Sequence, residues 1–375
     1  MKTKNILIIC PFFRPNIGGV ETHLDLLTKY LVKHNYKTTV LTYKPITTKT
    51  KDYKKIEKSK NLIVYRFWWF GNKIFDKTTP FPLLQFIYIV PGLFFHTFLY
   101  LLKNNQKNNT IHAHGFAAGF IVSCCSLFFK IKRKVISTHY IYPNLNINNF
   151  STKILKWSFN KFDKIFLVSN KSGEQLQKIG INKNKMVNYK HWLDPEIYKP
   201  KPNKKNNNKL NLLFVGRIIS MKGIFLLLEV AKKLPPNIIF TLIGDGPDFK
   251  QLKKESISTK NFKLVGKKNA SEIISYYQKS DITILPSLAP EAQPMVVMES
   301  LMCGTPIITT NKGSVTDMYN KTVGISISPT IKNLYKKIIN LYKNPKDIKK
   351  MKNNCRSFAI QKFGSKNAQI ITNSY

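Results

Sequence analysis

Acidic residues are scarce in this 375-residue chain: 19 Asp and Glu stand against 61 Lys and Arg, a formal net charge of +42. A field of that sign draws polyanions and anionic membranes. The same excess follows from a composition crowded with Lys, Asn and Ile, as AT-rich coding gives, so two sources of the charge stay open. Cysteine is sparse too. Cys10, Cys124, Cys125, Cys303 and Cys355 are odd in number and irregularly spaced, with no CxxC. That argues against a disulfide framework or a zinc site and suits a reducing compartment. No zinc-finger, RRM or KH pattern occurs, so no specific nucleic-acid partner is expected. A signal-peptide core is lacking as well. The apolar run Ile6–Cys10 is too short and stops at Pro11, so it reads as a first buried strand.

What is present is enough to fold. Apolar residues make up 43% of the chain and aromatics 12%, which excludes wholesale disorder, and the length suggests two domains. One segment, Phe81–Leu102, carries no charged residue and is long enough to span a bilayer. A single span would put parts of one α/β domain on opposite sides of the membrane. Pro91-Gly92 is expected to break the run in two. A bent hairpin or interfacial segment is therefore expected, against the alternative of a helix buried on the sheet. Seven lysines between Lys44 and Lys60 would suit an anionic lipid surface just upstream.

Along the chain, short apolar strands alternate with helical spacing. Asn5–Cys10 precedes a Pro/Gly loop, and Val20, Leu24, Leu27 and Leu31 mark one helix face. Strands at Thr38–Thr42, Asn61–Phe67, IHAHG, VISTHY and KIFLVSN follow, with an apolar helix near Phe116–Phe129. Alternation of this kind implies parallel sheets. The polar stretch Lys199–Lys209 reads as a linker. After it LNLLFVG, IIFTLIG, ITILPS and TPIITT read as strands, and KGIFLLLEVAKKL and PMVVMESLMC as helices. Two doubly wound Rossmann-like domains facing a cleft are expected, with ligands at the carboxyl ends of the strands. The first spans 1–195 and is rejoined by a helix at 355–375; the second spans 196–354.

The chemistry concentrates in the second half. FVGRIISMKG sets Gly216 and Arg217 at a strand end, with Lys222 and Gly223 beyond, and two cations at a helix start suit a diphosphate. A solvated turn would look the same in isolation. IGDGP places Gly244 in a common turn type. In PEAQPMVVMESLMCGTP, Glu291 and Glu299 lie eight residues apart. A helix begins over Pro294, Met295 and Val296, where free amides can meet phosphate. Glu299 falls on the apolar side of that helix and needs a partner, which sugar or ribose hydroxyls would supply. His112 and His114 are read as pointing to opposite faces of their strand, so they suit one metal poorly; no metal site and no cofactor are expected.

Taken in order, the glycine-rich first loop, the histidine strands, the arginine-lysine motif, GDGP and the two spaced glutamates resemble the retaining glycosyltransferases of glycosyltransferase family 4, which have the GT-B fold. The resemblance covers almost the whole chain. It implies that Arg217 and Lys222 hold the donor diphosphate and stabilise the leaving charge. It gives Glu299 to the nucleotide ribose and Glu291 to the donor-sugar hydroxyls. Gly18 and Gly19, in PNIGGVE, match first-loop glycines on the phosphate and acceptor side. His139, in STHY, matches a histidine near the transferred sugar, and His114 lies at another strand end. Ala292 and Gln293 depart from the family's glycine and aromatic, and the turn His191-Trp192-Leu193-Asp194 keeps only the aspartate. The tryptophan often seen in the terminal helix is absent from KFGSKNAQIITNSY. The resemblance further implies retention of anomeric configuration. Metal-independent transfer from a nucleotide sugar to a glycan or lipid-linked acceptor is expected, and the lack of a DxD sequence agrees. The expected setting is cytoplasmic, peripheral on the inner face of the membrane. An epimerase or phosphorylase on the same fold, or a non-catalytic basic binding protein, are the competing readings.

Overall fold

The computed structural model describes every residue except 1–3, 49, 71, 79–80, 105–109, 140–144, 147 and 202–208, with the side chains of 72, 73, 76 and 82 also outside the description. Most of the expected linker at Lys199–Lys209 thus lies outside the described residues. The chain divides into two units: Met1–His191 with Lys366–Tyr375, and Trp192–Ser365. Residues 355–365, assigned from sequence to the returning helix, group instead with the second unit.

In the first unit the described residues form an eight-stranded sheet. Its strands are β1 (Asn5–Ile9), β2 (Lys37–Tyr43), β3 (Ile56–Ser59), β4 (Leu62–Phe67), β5 (Thr110–His114), β6 (Lys134–Thr138), β7 (Lys164–Leu167) and β8 (Met186–Asn188). They lie in the order β3-β4-β2-β1-β5-β6-β7-β8. The central strands are short apolar runs, buried on both faces, because helices cover the sheet on each side. Only β3 runs antiparallel, pairing Glu57 with Val64 and Ser59 with Leu62. The sequence reading has β4 but not this edge strand, whose mostly exposed residues carry no buried periodicity. The covering helices are α1 (Gly19–Lys33), α2 (Asn72–Thr78), α3 (Pro82–Asn104), α4 (Phe116–Cys125), α5 (Phe150–Asn160) and α6 (Asn170–Lys178). Helix α1 buries His23, Leu24, Leu27, Thr28 and Leu31, one stripe at helical spacing.

The second unit holds a six-stranded parallel sheet in the order β11-β10-β9-β12-β13-β14. Its strands are β9 (Leu210–Val215), β10 (Ile238–Ile243), β11 (Phe262–Gly266), β12 (Ile282–Leu285), β13 (Ile307–Thr310) and β14 (Gly324–Ile327). Its helices are α7 (Ile224–Ala231), α8 (Phe249–Glu255), α9 (Ala270–Lys279), α10 (Met295–Met302), α11 (Ile331–Lys343) and α12 (Pro345–Phe363). Helix α9 opens on a full capping box between Asn269 and Glu272. The last helix, α13 (Lys366–Thr372), returns to the first unit. There Lys4 donates to the Tyr375 carbonyl at 2.9 Å and Arg133 to the Ser374 carbonyl at 3.0 Å. All five cysteines are free, and four of them are buried.

The uncharged segment departs from expectation. Pro82–Asn104 is one helix with Pro91 inside it, so Pro91-Gly92 does not divide the run. Donors from outside the helix meet carbonyls in the turn before the proline: the Tyr43 hydroxyl reaches Ile89 O at 2.5 Å and the Trp69 indole reaches Tyr88 O at 2.8 Å. The proline is exposed to solvent. Gly92 lets the Trp69 ring lie against the helix backbone, since that ring fills the place a Cβ would take. Gly92→Ala is expected to destabilise the protein by about 1–3 kcal/mol, the cost of overfilling a packed contact. An unchanged urea midpoint would show that the indole yields freely.

Candidate active site

In a parallel sheet the strand order reverses at one point, and the loops leaving the two strands there diverge to open a crevice. In the second unit that point lies between β9 and β12, adjacent strands whose following helices belong to opposite ends of the strand order. The arginine-lysine loop leaves β9 and the glutamate loop leaves β12. Both constellations read from sequence therefore meet at the one position where the topology makes a site.

Glycines set the β9 loop. Gly244 has φ +148°, and a Cβ on it would strike the Gly216 carbonyl; one on Gly246 would strike the Ile218 backbone. Asp248 accepts from the Ser220 amide at 2.6 Å and from its hydroxyl at 2.5 Å. GDGP and the aspartate after it thus clamp the loop carrying Arg217, which is exposed, and Lys222. Gly223, at φ +74°, packs on the Pro286 carbonyl, and Leu288 N donates to Met221 O at 2.8 Å. These contacts bring Lys222 onto the β12 loop.

There Lys222 Nζ pairs with Glu291 Oε1, with side-chain exposures of 28% and 13%. Ser287 donates to the same carboxylate oxygen at 2.5 Å, and Thr310 fixes the Ser287 carbonyl from β13, also at 2.5 Å. The Glu291 backbone is held by Gly313: the two form an isolated parallel bridge, and Ser314 N donates to Glu291 O at 2.7 Å. Gly313 has φ +78°, and a Cβ on it would overlap the Glu291 backbone. Ser287 and Gly313 escaped the sequence reading. A serine before a loop carries no pattern, and Gly313 lies on another strand's loop.

Three residues on, Pro294 caps α10, whose first turn includes buried Met295 and half-buried Val296. The amides of that turn have no carbonyl inside the helix to bond, which leaves an electropositive end. Glu299 lies one turn further along. Its carboxylate accepts from the Tyr277 hydroxyl at 2.8 Å and is also bonded by Tyr198. Burial raises its pKa above the ordinary carboxylate value, and the two hydroxyls pull it back. Arg356, from α12, sets Tyr198 by bonding its carbonyl, and also bonds Pro195 O at 2.8 Å and Met302 O at 3.1 Å. The two tyrosines are the partners that sequence reasoning sought among ribose hydroxyls; both are remote in the chain, so no spacing pointed to them.

The first unit reverses its strand order between β1 and β5. The loop from β1 carries Gly18 and Gly19, at the start of α1. The Glu21 carboxylate folds over Gly18 at that helix end, and its pKa is raised by burial. An acid of the chain itself thus lies where phosphate was expected, beside the two glycines.

Strand β5 ends on His114, and Gly115 follows at φ +83°, where a Cβ would meet no atom of the described residues. His114 Nδ1 and His139 Nε2 are 3.2 Å apart, and their rings stack nearly parallel. His112 and His114 are two residues apart, so they share a face of the strand, with ring centroids 4.0 Å apart. The expectation that they point to opposite faces is corrected on that ground. His23 and His191 stack at 4.2 Å beside them, and both were overlooked because only the tertiary fold brings α1 and residue 191 to these strands. His112 bonds Ser137 at 2.8 Å and the Tyr375 hydroxyl at 2.6 Å, which ties the C-terminus to the cluster. His114 Nε2, His139 Nδ1 and Thr138 Oγ1 are buried with no hydrogen-bond partner among the described residues. Among the described residues no three His, Cys, Asp or Glu are arranged to hold a metal ion.

Burial pushes the pKa of all five histidines down, to about 4 for His139 and about 3 for His112. For all but His139, neighbouring histidines lower it further. Below the unfolded value near 6.5 the unfolded chain takes up protons that the folded chain refuses. Their stabilisation is complete above that pH and declines as pH falls toward 4, by up to about 1.4 kcal/mol per pH unit for each histidine. Raised Glu21 and Glu299 act with opposite sign, but they are two against five. The urea midpoint should fall clearly between pH 7.5 and pH 5; a flat profile would mean that the cluster is hydrated and titrates normally.

Two doubly wound α/β units, each with polar groups at its switch point, define the architecture of GT-B glycosyltransferases. The whole chain superposes on sucrose-phosphate synthase from Thermosynechococcus elongatus with a TM-score of 0.81, at 16% identity, covering 99% of this chain and 98% of that one. It superposes on Anabaena HepE in complex with UDP and glucose with a TM-score of 0.76, at 17% identity, covering 99% of each chain. Residues 17–188 match the model of Glycosyltransferase Family 4, and residues 196–358 match that of Glycosyl transferases group 1. The chain belongs to this glycosyltransferase family and is a glycosyltransferase of the GT-B fold. Among curated proteins it is 25% identical to the phosphatidylinositol N-acetylglucosaminyltransferase GPI3 subunit of Saccharomyces cerevisiae over 343 residues, 84% of this chain and 69% of that protein.

Proposed function

We propose that this chain is a retaining transferase that takes a hexose-type sugar from a nucleotide-diphosphate sugar and passes it to a glycan or lipid-linked acceptor. The observation that carries the reading is the grouping of Lys222, Glu291 and Ser287 at the switch point of the second unit, beside the Arg217 loop and the amino end of α10. In this reading the bond between the anomeric carbon and the diphosphate breaks, and negative charge grows on the departing phosphate. Lys222 and Arg217 stabilise that charge, with the first-turn amides around Met295 and Val296. When the diphosphate enters, Lys222 exchanges Glu291 for phosphate oxygen, and Glu291 turns to the sugar hydroxyls. Glu299, oriented by Tyr277 and Tyr198, accepts from the ribose. Gly216 and Gly244 keep the loop close enough for a phosphate to approach its backbone.

The acceptor oxygen attacks the same face that the diphosphate leaves, and its proton passes to the leaving phosphate. His139 and His114 supply neutral ring nitrogens, one on each ring with no partner among the described residues, on the acceptor side of the reaction, with Gly18 and Gly19 in the loop from β1. Two cations and a helix end supply the charge stabilisation that a metal provides elsewhere, so transfer proceeds without one. The phosphatidylinositol named in the curated relative and the UDP and glucose of the solved complex support trying a lipid acceptor and uridine-diphosphate sugars first.

Screening nucleotide sugars by thermal shift identifies the donor, because a ligand of the folded state raises its melting temperature. With that donor, Lys222→Ala and Glu291→Ala are each expected to lower turnover about 10²-fold or more while the circular-dichroism melt stays cooperative. Turnover within a factor of two of the parent would remove these groups from the chemistry and favour a non-catalytic binding role. Full activity is expected after dialysis against EDTA. Loss that added Mg²⁺ or Mn²⁺ restores would show that a metal, not Lys222 and Arg217, holds the diphosphate.

A further inference from the structure

One surface of the first unit takes no part in either switch point. Helix α3 buries Tyr88, Ile89, Val90, Leu93, Thr97 and Leu101 against the sheet and leaves a stripe of apolar side chains bare on its other side. Leu84, Ile87, Phe95 and Leu102 in that stripe are 52–62% exposed, and Leu99 joins them. Their spacing of three, four and eight residues puts them on one face of the helix, over about 27 Å at 1.5 Å per residue. The stripe continues off the helix: Phe98 packs edge-on to Phe128, which with Leu127 is more than half exposed after α4. Single exposed apolar residues are ordinary, but a continuous face of this length marks an interaction surface.

Two occupants compete: a second protein surface, and lipid. The chemistry at the rim favours lipid. No charged side chain interrupts Phe81–Leu102, and this is the one helix among the described residues long and apolar enough to cross a membrane. Yet only 33% of its most apolar window is buried inside the protein. Cations lie at the edges. Lys103 lies in the helix's last turn, Lys130 follows Phe129, and Lys44 Nζ sits 5.1 Å from the ring centroid of exposed Trp68. Lys44 opens the stretch to Lys60, with seven lysines against Asp52 and Glu57. Apolar residues bordered by lysine and tryptophan match the layering of an anionic bilayer surface, acyl chains below and phosphates above.

The back of the helix decides between spanning and lying flat. Tyr43 and Trp69 bond its carbonyls, Tyr88 donates to Phe70 O at 2.5 Å, and the Phe67 ring stacks on His96 at 4.0 Å. Crossing the bilayer would strip these contacts from the domain core. We infer that α3, with Leu127 and Phe128, is a monotopic docking face that seats the first unit on an anionic membrane leaflet while the helix stays on its sheet. Phe86 of α3 stacks on Phe116 at 5.4 Å, and Phe116 opens the helix directly after His114-Gly115. The docking face therefore lies one layer of side chains from the histidine end of β5, a position suited to an acceptor carried in that leaflet. The inference is independent of the donor chemistry.

Flotation of the full chain with vesicles tests it. The protein should float with phosphatidylcholine vesicles containing phosphatidylglycerol, far less with phosphatidylcholine alone, and binding should weaken as salt rises. Ile87→Gln, Phe95→Gln and Leu102→Gln change only exposed positions, so the melting temperature should hold. Each should lower vesicle affinity about tenfold or more, the loss expected for an apolar side chain that no longer enters the acyl layer. Protein remaining at the bottom of the gradient with both vesicle types would overturn the inference. So would a concentration-dependent dimer in sedimentation that Phe95→Gln abolishes, because a second copy would then cover the face. Donor thermal shift, read on the same variants, should be unchanged, so a failure here is separable from a failure of the transferase reading.

Discussion

The ion pair between Lys222 and Glu291 is the contact on which the second unit's site depends. It joins loops from two strands that the topology drives apart, and contacts from three neighbouring strands' loops place one partner or the other. Gly244, Gly246 and Asp248 fix the lysine loop from β10. Ser287, Thr310 and Gly313 fix the glutamate from β12 and β13. In the proposed transfer a diphosphate would compete with Glu291 for this lysine, because a partly exposed pair is held only weakly. The resting pair keeps the cation in position before any ligand arrives, which is what preorganisation requires.

The first unit solves a different problem. Its switch point is lined with neutral imidazoles packed ring on ring, and the folded state keeps them neutral by burial. Neutral rings accept and donate hydrogen bonds without adding charge, which suits recognition of hydroxyl groups. The same rings connect to the C-terminal Tyr375, so the terminal helix helps to set the geometry of the cluster.

Much of this was legible in the chain. Apolar runs such as NILII, LLFV and ITIL declared strands buried on both faces, and their alternation with helical spacing declared parallel sheets. The arginine-lysine loop and the spaced glutamates were local, each within one loop and helix, so the order of residues was enough to find them. The helix at Pro82–Asn104 departs from the sequence reading because tertiary contacts hold its proline turn in place, and their donors, Tyr43 and Trp69, lie up to about fifty residues away in sequence. The edge strand β3 was missed because its pairing leaves it largely exposed.

Sequence by itself determined the repeated strand-helix architecture, the chemical character of the cationic and acidic loops, and the apolar character of α3, since each is written in neighbouring residues. Tertiary structure alone decided that Glu299 is held by Tyr277 and Tyr198, that Gly313 seats Glu291, and that five histidines form one cluster. It also decided which face of α3 stays bare. Those outcomes depend on strand order and on contacts between residues far apart in the chain, and no local spacing encodes them.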